Sequence, residues 1–220
     1  MATYYFVFGV VLQARFGADT TREGFVLYFL AGMLPWLPFS EAVGRAPGSI
    51  IENRNFVKKL VFPIETLSVN HVLTGLVTEG FALLIFLALL AVTRATVPVT
   101  LLALPALLIP QFLLTLGVCW ILAALGVYLR DLGQIIGFLL TVIFFLTPIC
   151  YPEASLPQGA MALLSKSPVF ALVSSYRAVL LENRLPDWHV LAALFLFSLV
   201  VFFAGHAFFW RLRRTFADVI

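Results

Sequence analysis

Charged residues are scarce in this sequence, and cysteine is almost absent. Lysine, arginine, aspartate and glutamate make up 11% of the 220 residues, whereas soluble domains contain about 25%. The cysteines, Cys119 and Cys150, lie in or beside apolar runs at no metal or redox spacing, so we assign them a packing role. The net charge of +3 includes no basic run long enough to bind nucleic acid. A soluble fold and a nucleic-acid partner are therefore not expected.

Catalytic motifs are absent as well. The sequence has no G-x-x-x-x-G-K-[ST] phosphate loop, so the chain does not bind and hydrolyse ATP through that motif. It also has no G-x-S-x-G, H-E-x-x-H or C-x-x-C motif, and His71, His189 and His206 lie in separate segments. We therefore expect no catalytic residue, no metal site and no cofactor bound by this chain.

Hydrophobic residues, in contrast, make up 62% of the chain, and the mean hydropathy is +1.03. Several charge-free stretches are near or above the about 20 residues that a helix needs to cross a bilayer. These stretches are apolar on all sides and longer than the strands of about ten residues that form membrane barrels. The pattern predicts an all-α, polytopic membrane protein.

Six spans account for the apolar stretches, with no internal repeat, so we treat residues 1–220 as one membrane domain. An even number of spans places both termini on one side. If that side is cytoplasmic, inner segments contain eight of the 14 lysines and arginines, in the direction of the positive-inside rule. The predicted spans are about Ala2–Phe16, Phe25–Val43, Thr66–Thr93, Ala103–Leu129, Leu132–Ile149 and His189–Trp210.

The first span is short. As a helix, Met1–Ala14 would rise about 21 Å, whereas the hydrocarbon core is about 30 Å thick. A cleaved signal peptide would have a basic stretch before the apolar run and a small-residue cleavage site after it, and neither is found. We therefore expect the start of the first span to be missing.

The inner loop from Arg45 to Pro63 is the most polar of the predicted inner segments. Ser49 and Glu52 have the spacing of a capping box, which predicts that a short helix begins there. Pro63 limits this helix at its far end. Such a helix could be a lever between spans two and three, or only an ordered loop at the membrane surface.

Prolines and charged residues mark the ends of spans four and five. The apolar run into span four contains three prolines and predicts a broken start followed by one helix. Asp131 and Gln134 resemble a capping box that opens span five, and Arg130 lies at headgroup level. The residues that we place structurally at membrane edges are Arg130, Asp131, Pro148 and Pro152.

Between spans five and six, the segment Tyr151–Asp187 contains apolar pieces of about 10 to 12 residues, which are too short to span a bilayer. We predict two short helices between Leu156 and Leu181, divided near Pro168, that form a re-entrant outer hairpin. Non-helical backbone at that depth must face protein or water, so the hairpin is expected to border a conduit.

Glu79 and a set of aromatic residues are candidates for a translocation path. Glu79 falls near the middle of span three, where a structural hydrogen bond or a water-facing position is favoured over a proton relay. The aromatic residues cluster toward the predicted membrane boundaries and anchor helices there, although such rings also stack on sugars. The candidate path residues are Tyr4, Tyr5, Trp36, Phe39, Glu79 and Tyr151.

A family resemblance follows from five motifs in order. The inner loop reads Glu52-Asn-Arg-Asn-Phe-Val-Lys-Lys-Leu-Val-Phe-Pro63, which resembles the N-x-x-L-V-K-K-x-x-F-P signature of polysaccharide-exporting ABC-2-type permeases. The other motifs are Tyr128–Asp131, Phe144–Pro152, Ser167–Pro168 with Tyr176–Val179, and Arg214–Asp218. The resemblance covers essentially the whole chain and is greatest to O-antigen, capsule and teichoic-acid exporter permeases.

The resemblance implies a homodimer in the bacterial inner membrane, joined to two ATP-binding-cassette subunits that hold ATP and Mg. The complex would move a lipid-pyrophosphate-linked glycan to the outer face, with a conduit at the dimer interface. Family members also have an N-terminal amphipathic helix that is not found here. The implied coupling residues are Ser49, Glu52, Asn53, Arg54, Asn55, Lys58, Lys59, Phe62 and Pro63.

Two alternatives remain open from the sequence. The first keeps the fold and changes the cargo to a drug, a lipid or an oligosaccharide. The second is a membrane-embedded glycosyl- or acyltransferase, which would be expected to have clustered acidic or histidine residues at the membrane.

Overall fold

The computed structural model describes residues 22–54, 63–94, 98–153 and 156–216. Within these ranges every regular element is helical, which confirms the all-α fold class. Three short 3-10 helices, Ala46–Gly48, Val99–Ala103 and Arg213–Thr215, accompany the α-helices. The α-helices of the described ranges are α1 (Arg22–Arg45), α2 (Ser49–Glu52), α3 (Glu65–Arg94), α4 (Leu104–Gly126), α5 (Leu132–Leu146), α6 (Gln158–Leu164), α7 (Pro168–Leu180) and α8 (Trp188–Leu212).

Four stretches of the described chain are long and apolar enough to cross a bilayer: Gly24–Glu52, Glu65–Thr93, Val99–Gly126 and Trp188–Thr215. They coincide with predicted spans two, three, four and six. Predicted span five is the 15-residue helix α5, which rises about 22 Å. Predicted span one lies outside the described residues, so the total of six spans stays a prediction.

Prolines shape the start of span four as expected. The chain enters it through the 3-10 helix Val99–Ala103, and α4 then begins at Leu104. Pro105 lies in the first turn, where a missing amide hydrogen breaks no helical hydrogen bond. Pro110 lies inside α4 and removes one interior hydrogen bond without ending the helix.

The segment from α5 to α7 also follows the predicted pattern. Helix α5 begins directly after Asp131, whose carbonyl oxygen accepts hydrogen bonds from the amides of Gln134 (3.1 Å) and Ile135 (3.2 Å). Two short helices, α6 and α7, then lie between Leu156 and Leu181, and Pro168 is the first residue of α7. The two predicted helices are confirmed, whereas their re-entrant path through the membrane stays a prediction.

The residues form two compact units. The first unit contains the described residues up to Trp36 together with Gly80–Leu107 and Val142–Ala192. Its core includes α7, in which almost every side chain is buried. At the end of α7, Asn183 adopts a positive φ of 48°, and the Thr100 hydroxyl donates a hydrogen bond to the Val179 carbonyl at 2.6 Å. This bond satisfies a carbonyl group that the end of the helix leaves open.

The second unit contains Leu37–Glu79, Leu108–Thr141 and the described residues from Ala193 onward. Within it, α4 and α8 cross with their backbones in contact at Gly117 and Gly205. A Cβ atom on Gly205 would lie 2.9 Å from the Cα of Gly117, and one on Gly117 would lie 2.7 Å from the Phe202 nitrogen. Small residues allow helices in membranes to approach this closely.

Candidate functional site

The predicted coupling segment begins at the end of α1 without leaving helical geometry. Ser49 has helical angles (φ −56°, ψ −36°), and Gly48 is the N-cap residue of α2, with no side-chain capping bond at that position. The Ser49 hydroxyl instead donates a hydrogen bond to the Ala46 carbonyl at 2.8 Å. The predicted Ser49–Glu52 capping box is therefore wrong, because Ser49 is already the first residue of α2 and its hydroxyl donates to Ala46 instead of capping the helix.

The described part of this segment has a buried side and an exposed side. Ser49 and Ile50 are buried, whereas Glu52 and Arg54 are exposed. Asn53 is half-buried, and its side-chain amide donates a hydrogen bond to the Ser49 carbonyl at 2.8 Å. Two charged side chains thus face outward at the end of α2, where another protein could contact them. Four predicted coupling residues lie outside the described residues: Asn55, Lys58, Lys59 and Phe62.

The segment ends at Pro63, which is exposed. The carbonyl oxygen of Pro63 accepts hydrogen bonds from the Thr66 amide (3.0 Å) and the Thr66 hydroxyl (2.6 Å). The proline is thereby attached to the first turn of α3.

Glu79 forms a structural hydrogen bond, which is one of the two roles that the sequence favoured beside a water-facing position. The side chain is 4% exposed and lies near the middle of α3. The Gln111 side-chain amide of α4 donates a hydrogen bond to Glu79 Oε2 at 2.7 Å. Gln111 was not among the predicted residues, although a polar residue next to Pro110 in an apolar run was a visible signal.

The other candidate path residues are placed as follows. Trp36 and Phe39 are buried, and the Trp36 ring lies 5.7 Å from the Phe144 ring. Trp36 lies near the middle of α1, which runs from Arg22 to Arg45, and its predicted place toward a membrane boundary stays a prediction. Tyr4 and Tyr5 lie outside the described residues. A path role for these aromatic residues stays a prediction.

Tyr151 supports the end of α5. Its hydroxyl lies 3.0 Å from the carbonyl oxygen of Phe145 and 2.9 Å from that of Leu146, and it donates a shared hydrogen bond to them. Carbonyl groups in the last turn of a helix have no partner within the helix. Tyr151 therefore stabilises the end of α5, and its role in a translocation path stays a prediction.

The predicted membrane-edge residues lie between helices. Arg130 and Asp131 are exposed between α4 and α5. Pro148 is buried and Pro152 is half-buried, and both lie between α5 and α6. These positions fit residues that end and redirect helices.

Arg177 is a polar centre of the first unit that sequence reasoning did not single out. It lies in α7 and is 3% exposed. The guanidinium carbon is 3.6 Å from the centroid of the Tyr28 ring, and Nη1 donates a hydrogen bond to the Tyr28 hydroxyl at 2.9 Å. Nη2 donates to the Ile149 carbonyl at 3.2 Å. Gly32 leaves room for this group, because a Cβ atom there would lie 2.8 Å from Nη2.

The buried charge of Arg177 has an acidic neighbour, Glu153, whose Oε1 lies 3.6 Å from Nη1. Burial raises the pKa of the Glu153 carboxyl, and the nearby positive charge of Arg177 opposes this rise. Glu153 is 33% exposed, so water also solvates it. Arg177 therefore joins α7, α1 and the Ile149–Glu153 segment in one polar contact.

The described residues provide no metal site, because no three histidine, cysteine, aspartate or glutamate side chains come together there. The polar groups described above instead hold helices together or face outward at a loop. Sequence comparison then decides the family. The profile described as "ABC-2 type transporter" matches residues 2–181. The chain belongs to the ABC-2 type transporter family.

Named relatives of this ABC-2 chain are transport subunits. It is 32% identical over 222 residues to the O-antigen export system permease protein RfbA of Myxococcus xanthus, covering 100% of this chain and 83% of the relative. It is 24% identical over 222 residues to the RfbA of Klebsiella pneumoniae, covering 99% and 82%. It is 24% identical over 186 residues to the polysialic acid transport protein KpsM of Escherichia coli, covering 84% and 72%. The predicted family resemblance is confirmed, and this ABC-2 chain is a transporter subunit.

Proposed function

We propose that this chain is the membrane-spanning permease subunit of an ATP-driven exporter that moves a lipid-linked polysaccharide across the bacterial inner membrane. The observation that carries the proposal is the 32% identity to an O-antigen export permease along the full length of this chain. The apolar helices α1, α3, α4 and α8 supply the matching membrane architecture.

ATP hydrolysis belongs to a separate ATP-binding-cassette subunit, which binds ATP and Mg. Two observations support this division: the family match, and the absence of a phosphate-loop motif from all 220 residues. The permease contributes no catalytic group. Its role is to convert movement of the ATPase into movement of membrane helices.

The contact with the ATPase is the segment from Ser49 to Pro63. Its described part supports this role, because Glu52 and Arg54 are exposed while Ser49 and Ile50 hold the segment against the protein. Lys58 and Lys59 add positive charge within the same segment. With this segment inside the cell, both termini are cytoplasmic.

A homodimer provides the path for the glycan. The membrane helices of one chain are few for a conduit wide enough for a polysaccharide, so a path at a two-fold interface is the simpler arrangement. The cargo is a glycan attached to a lipid pyrophosphate, and α6 with α7 dips into the outer leaflet beside it. Helix α6 has seven residues and α7 has 13, which is too short to span a bilayer.

Deletion of the gene in its host tests the proposal, with surface polysaccharide and lipid-linked glycan measured separately. We expect loss of surface glycan and build-up of lipid-linked glycan in the cytoplasmic leaflet, both reversed by the gene together with its ATPase. Normal surface glycan without build-up would contradict the proposal and favour a drug or lipid cargo.

A further inference from the structure

The residues that flank the proposed coupling segment on its two sides contact the same helix, α4, within the second unit. On the first side, Gly126 closes α4 and lies against Pro47, two residues before Ser49. A Cβ atom on Gly126 would lie 2.7 Å from the carbonyl carbon of Pro47 and 2.8 Å from its Cα. The two backbones therefore touch, and no side chain larger than hydrogen fits at position 126 without a shift.

At the other end, α4 holds the first residue of α3. The Trp120 indole nitrogen donates a hydrogen bond to the Glu65 carbonyl at 3.2 Å, and Glu65 lies two residues after Pro63. Trp120 is buried. Trp120 and Gly126 are about 9 Å apart along α4, so the two flanks of the segment contact one helix at two separate points.

The side chain of Glu65 contacts Arg213, the residue that follows the end of α8. Glu65 Oε1 lies 3.6 Å from Arg213 Nη1, and the Arg213 guanidinium carbon lies 3.2 Å from the centroid of the Trp210 ring. The His206 ring lies 5.0 Å from the Trp120 ring and 5.9 Å from the Trp210 ring. Ring contacts of Trp210 and His206 therefore connect α8 to Trp120 of α4.

Stability alone does not account for an acid at position 65. Glu65 Oε2 is buried and has no hydrogen-bond partner among the described residues. A buried oxygen without a hydrogen-bond partner lowers the stability of the fold by about 1–3 kcal/mol relative to one that has a partner. The contact that favours an acid at this position is its pairing with Arg213.

We infer that α4 receives the movement of the coupling segment through Gly126 and Trp120, and that the Glu65–Arg213 pair passes this movement to α8. The inference rests on the proposed function, because it requires an ATPase that acts on the segment. A displacement of the segment would act on α4 through the two flanking contacts at Pro47 and Glu65. The backbone crossing at Gly117 and Gly205 then makes α8 follow α4.

The test uses the full chain assembled with its ATPase in proteoliposomes that contain the host's lipid-linked glycan. The amount of glycan transported and the amount of ATP hydrolysed are measured in the same sample. Their ratio is the transport per ATP. The variants are Trp120→Phe, which keeps an aromatic ring and loses the donor, Glu65→Gln, which removes the charge, and Gly126→Ala. We expect Trp120→Phe to lower transport per ATP about two- to tenfold, the range that corresponds to one hydrogen bond, and we expect Glu65→Gln and Gly126→Ala to lower it as well, while assembly and hydrolysis continue.

Each variant has a matched control with the same chemical change at a site outside this connection. Trp188→Phe changes an exposed tryptophan, Glu41→Gln changes an exposed acid that pairs with Arg45 on its own helix, and Gly133→Ala adds a methyl group where no atom lies within 4 Å. The controls should keep the transport-to-ATP ratio of the unmodified complex.

Two results would overturn the inference. One is an unchanged ratio in assembled Trp120→Phe and Glu65→Gln complexes. The other is a parallel loss of transport, hydrolysis and assembly, which indicates a purely structural role. Failure of the proposed function is a different result, because the unmodified complex would then hydrolyse ATP and move no glycan.

Discussion

Two arginines, one in each unit, have the same kinds of partner and differ in burial. Arg177 in the first unit lies 3.6 Å from Glu153 and over the Tyr28 ring. Arg213 in the second unit lies 3.6 Å from an acid, Glu65, and over the Trp210 ring. The Arg177 side chain is 3% exposed and that of Arg213 is 34% exposed.

This difference in burial indicates that the two arginine–carboxylate pairs have different roles. Removing one partner of a buried pair leaves a charge without compensation, which is costly, whereas water replaces the partner of an exposed charge. Arg177 also donates hydrogen bonds to Tyr28 and Ile149. We therefore assign Arg177 to holding the first unit together, and Arg213 to a weaker connection that can change during transport.

The largest expected effect is that of Arg177→Met. The substitution removes two hydrogen bonds and leaves Glu153 without its counter-ion, so we expect the free energy of unfolding to fall by about 3 kcal/mol. Denaturant unfolding of the purified chain in detergent measures this change. Arg184→Met is the control, because Arg184 is exposed and pairs only with nearby Glu182 among the described residues. Equal stability of the two variants would remove the assigned role of Arg177.

The loss should also depend on pH. Burial raises the pKa of Glu153 above its ordinary value of 4.5, and Arg177 opposes this rise, so its removal raises the pKa further. An acid whose pKa is higher when folded stabilises the fold in its protonated form. The destabilisation of Arg177→Met should therefore be smallest below the ordinary pKa and grow as the pH rises through the folded pKa. Arg177→Lys, which keeps the charge, should reduce this pH dependence.

A smaller effect is expected at the contact that holds the second unit together without charge. Gly205→Ala places a methyl group against the backbone of Gly117, and we expect a loss of about 1–3 kcal/mol because the helices must separate. Gly80→Ala is the control, since no atom lies within 4 Å of the added group. Unfolding in detergent measures the free energy of unfolding of both variants. An unchanged value for Gly205→Ala would contradict close packing at this crossing.

Substitutions of Glu79 test whether this acid has a structural role or carries protons. Glu79→Gln keeps an oxygen that accepts the Gln111 bond, so we expect a stability loss below about 1 kcal/mol and unchanged export. Glu79→Leu removes the bond and should cost about 1–3 kcal/mol. Unfolding and surface-glycan measurements in the two variants check this. A Glu79→Gln chain that folds normally and exports nothing would restore the proton-relay hypothesis.

The smallest stability effect is expected for Arg213→Gln. Ion pairs that water reaches contribute about 0–1 kcal/mol and weaken with salt, so the loss should be slight and should shrink at high ionic strength. Arg214→Gln, an exposed neighbour, is the matched control. Unfolding at low and high salt measures both, and a salt-independent loss as large as that of Arg177→Met would break the comparison of the two arginines.

Features of the fold that depend on local sequence were predictable. The apolar lengths gave spans two, three, four and six, and Asp131 and Pro168 marked the starts of α5 and α7. Capping at Ser49 failed, because the same spacing also occurs in a chain that is already helical. Local spacing does not distinguish a new helix from a continuing one.

Contacts between distant residues were not predictable. Arg177 meets Tyr28 across 149 positions, and Trp120 meets Glu65 across 55. No pattern in the sequence pairs these residues, because the pairing depends on how whole helices pack. Glu79 could be identified from its position alone, but its partner Gln111 could not.

ATP-dependent movement of lipid-linked glycan in proteoliposomes tests the central claim most directly. The purified chain is reconstituted with its ATPase, and glycan on each leaflet is measured with a reagent that does not cross the membrane. The account predicts that glycan changes leaflet only with ATP, with this chain and with a catalytically competent ATPase. Hydrolysis by an intact complex that leaves the glycan on its original leaflet would contradict it.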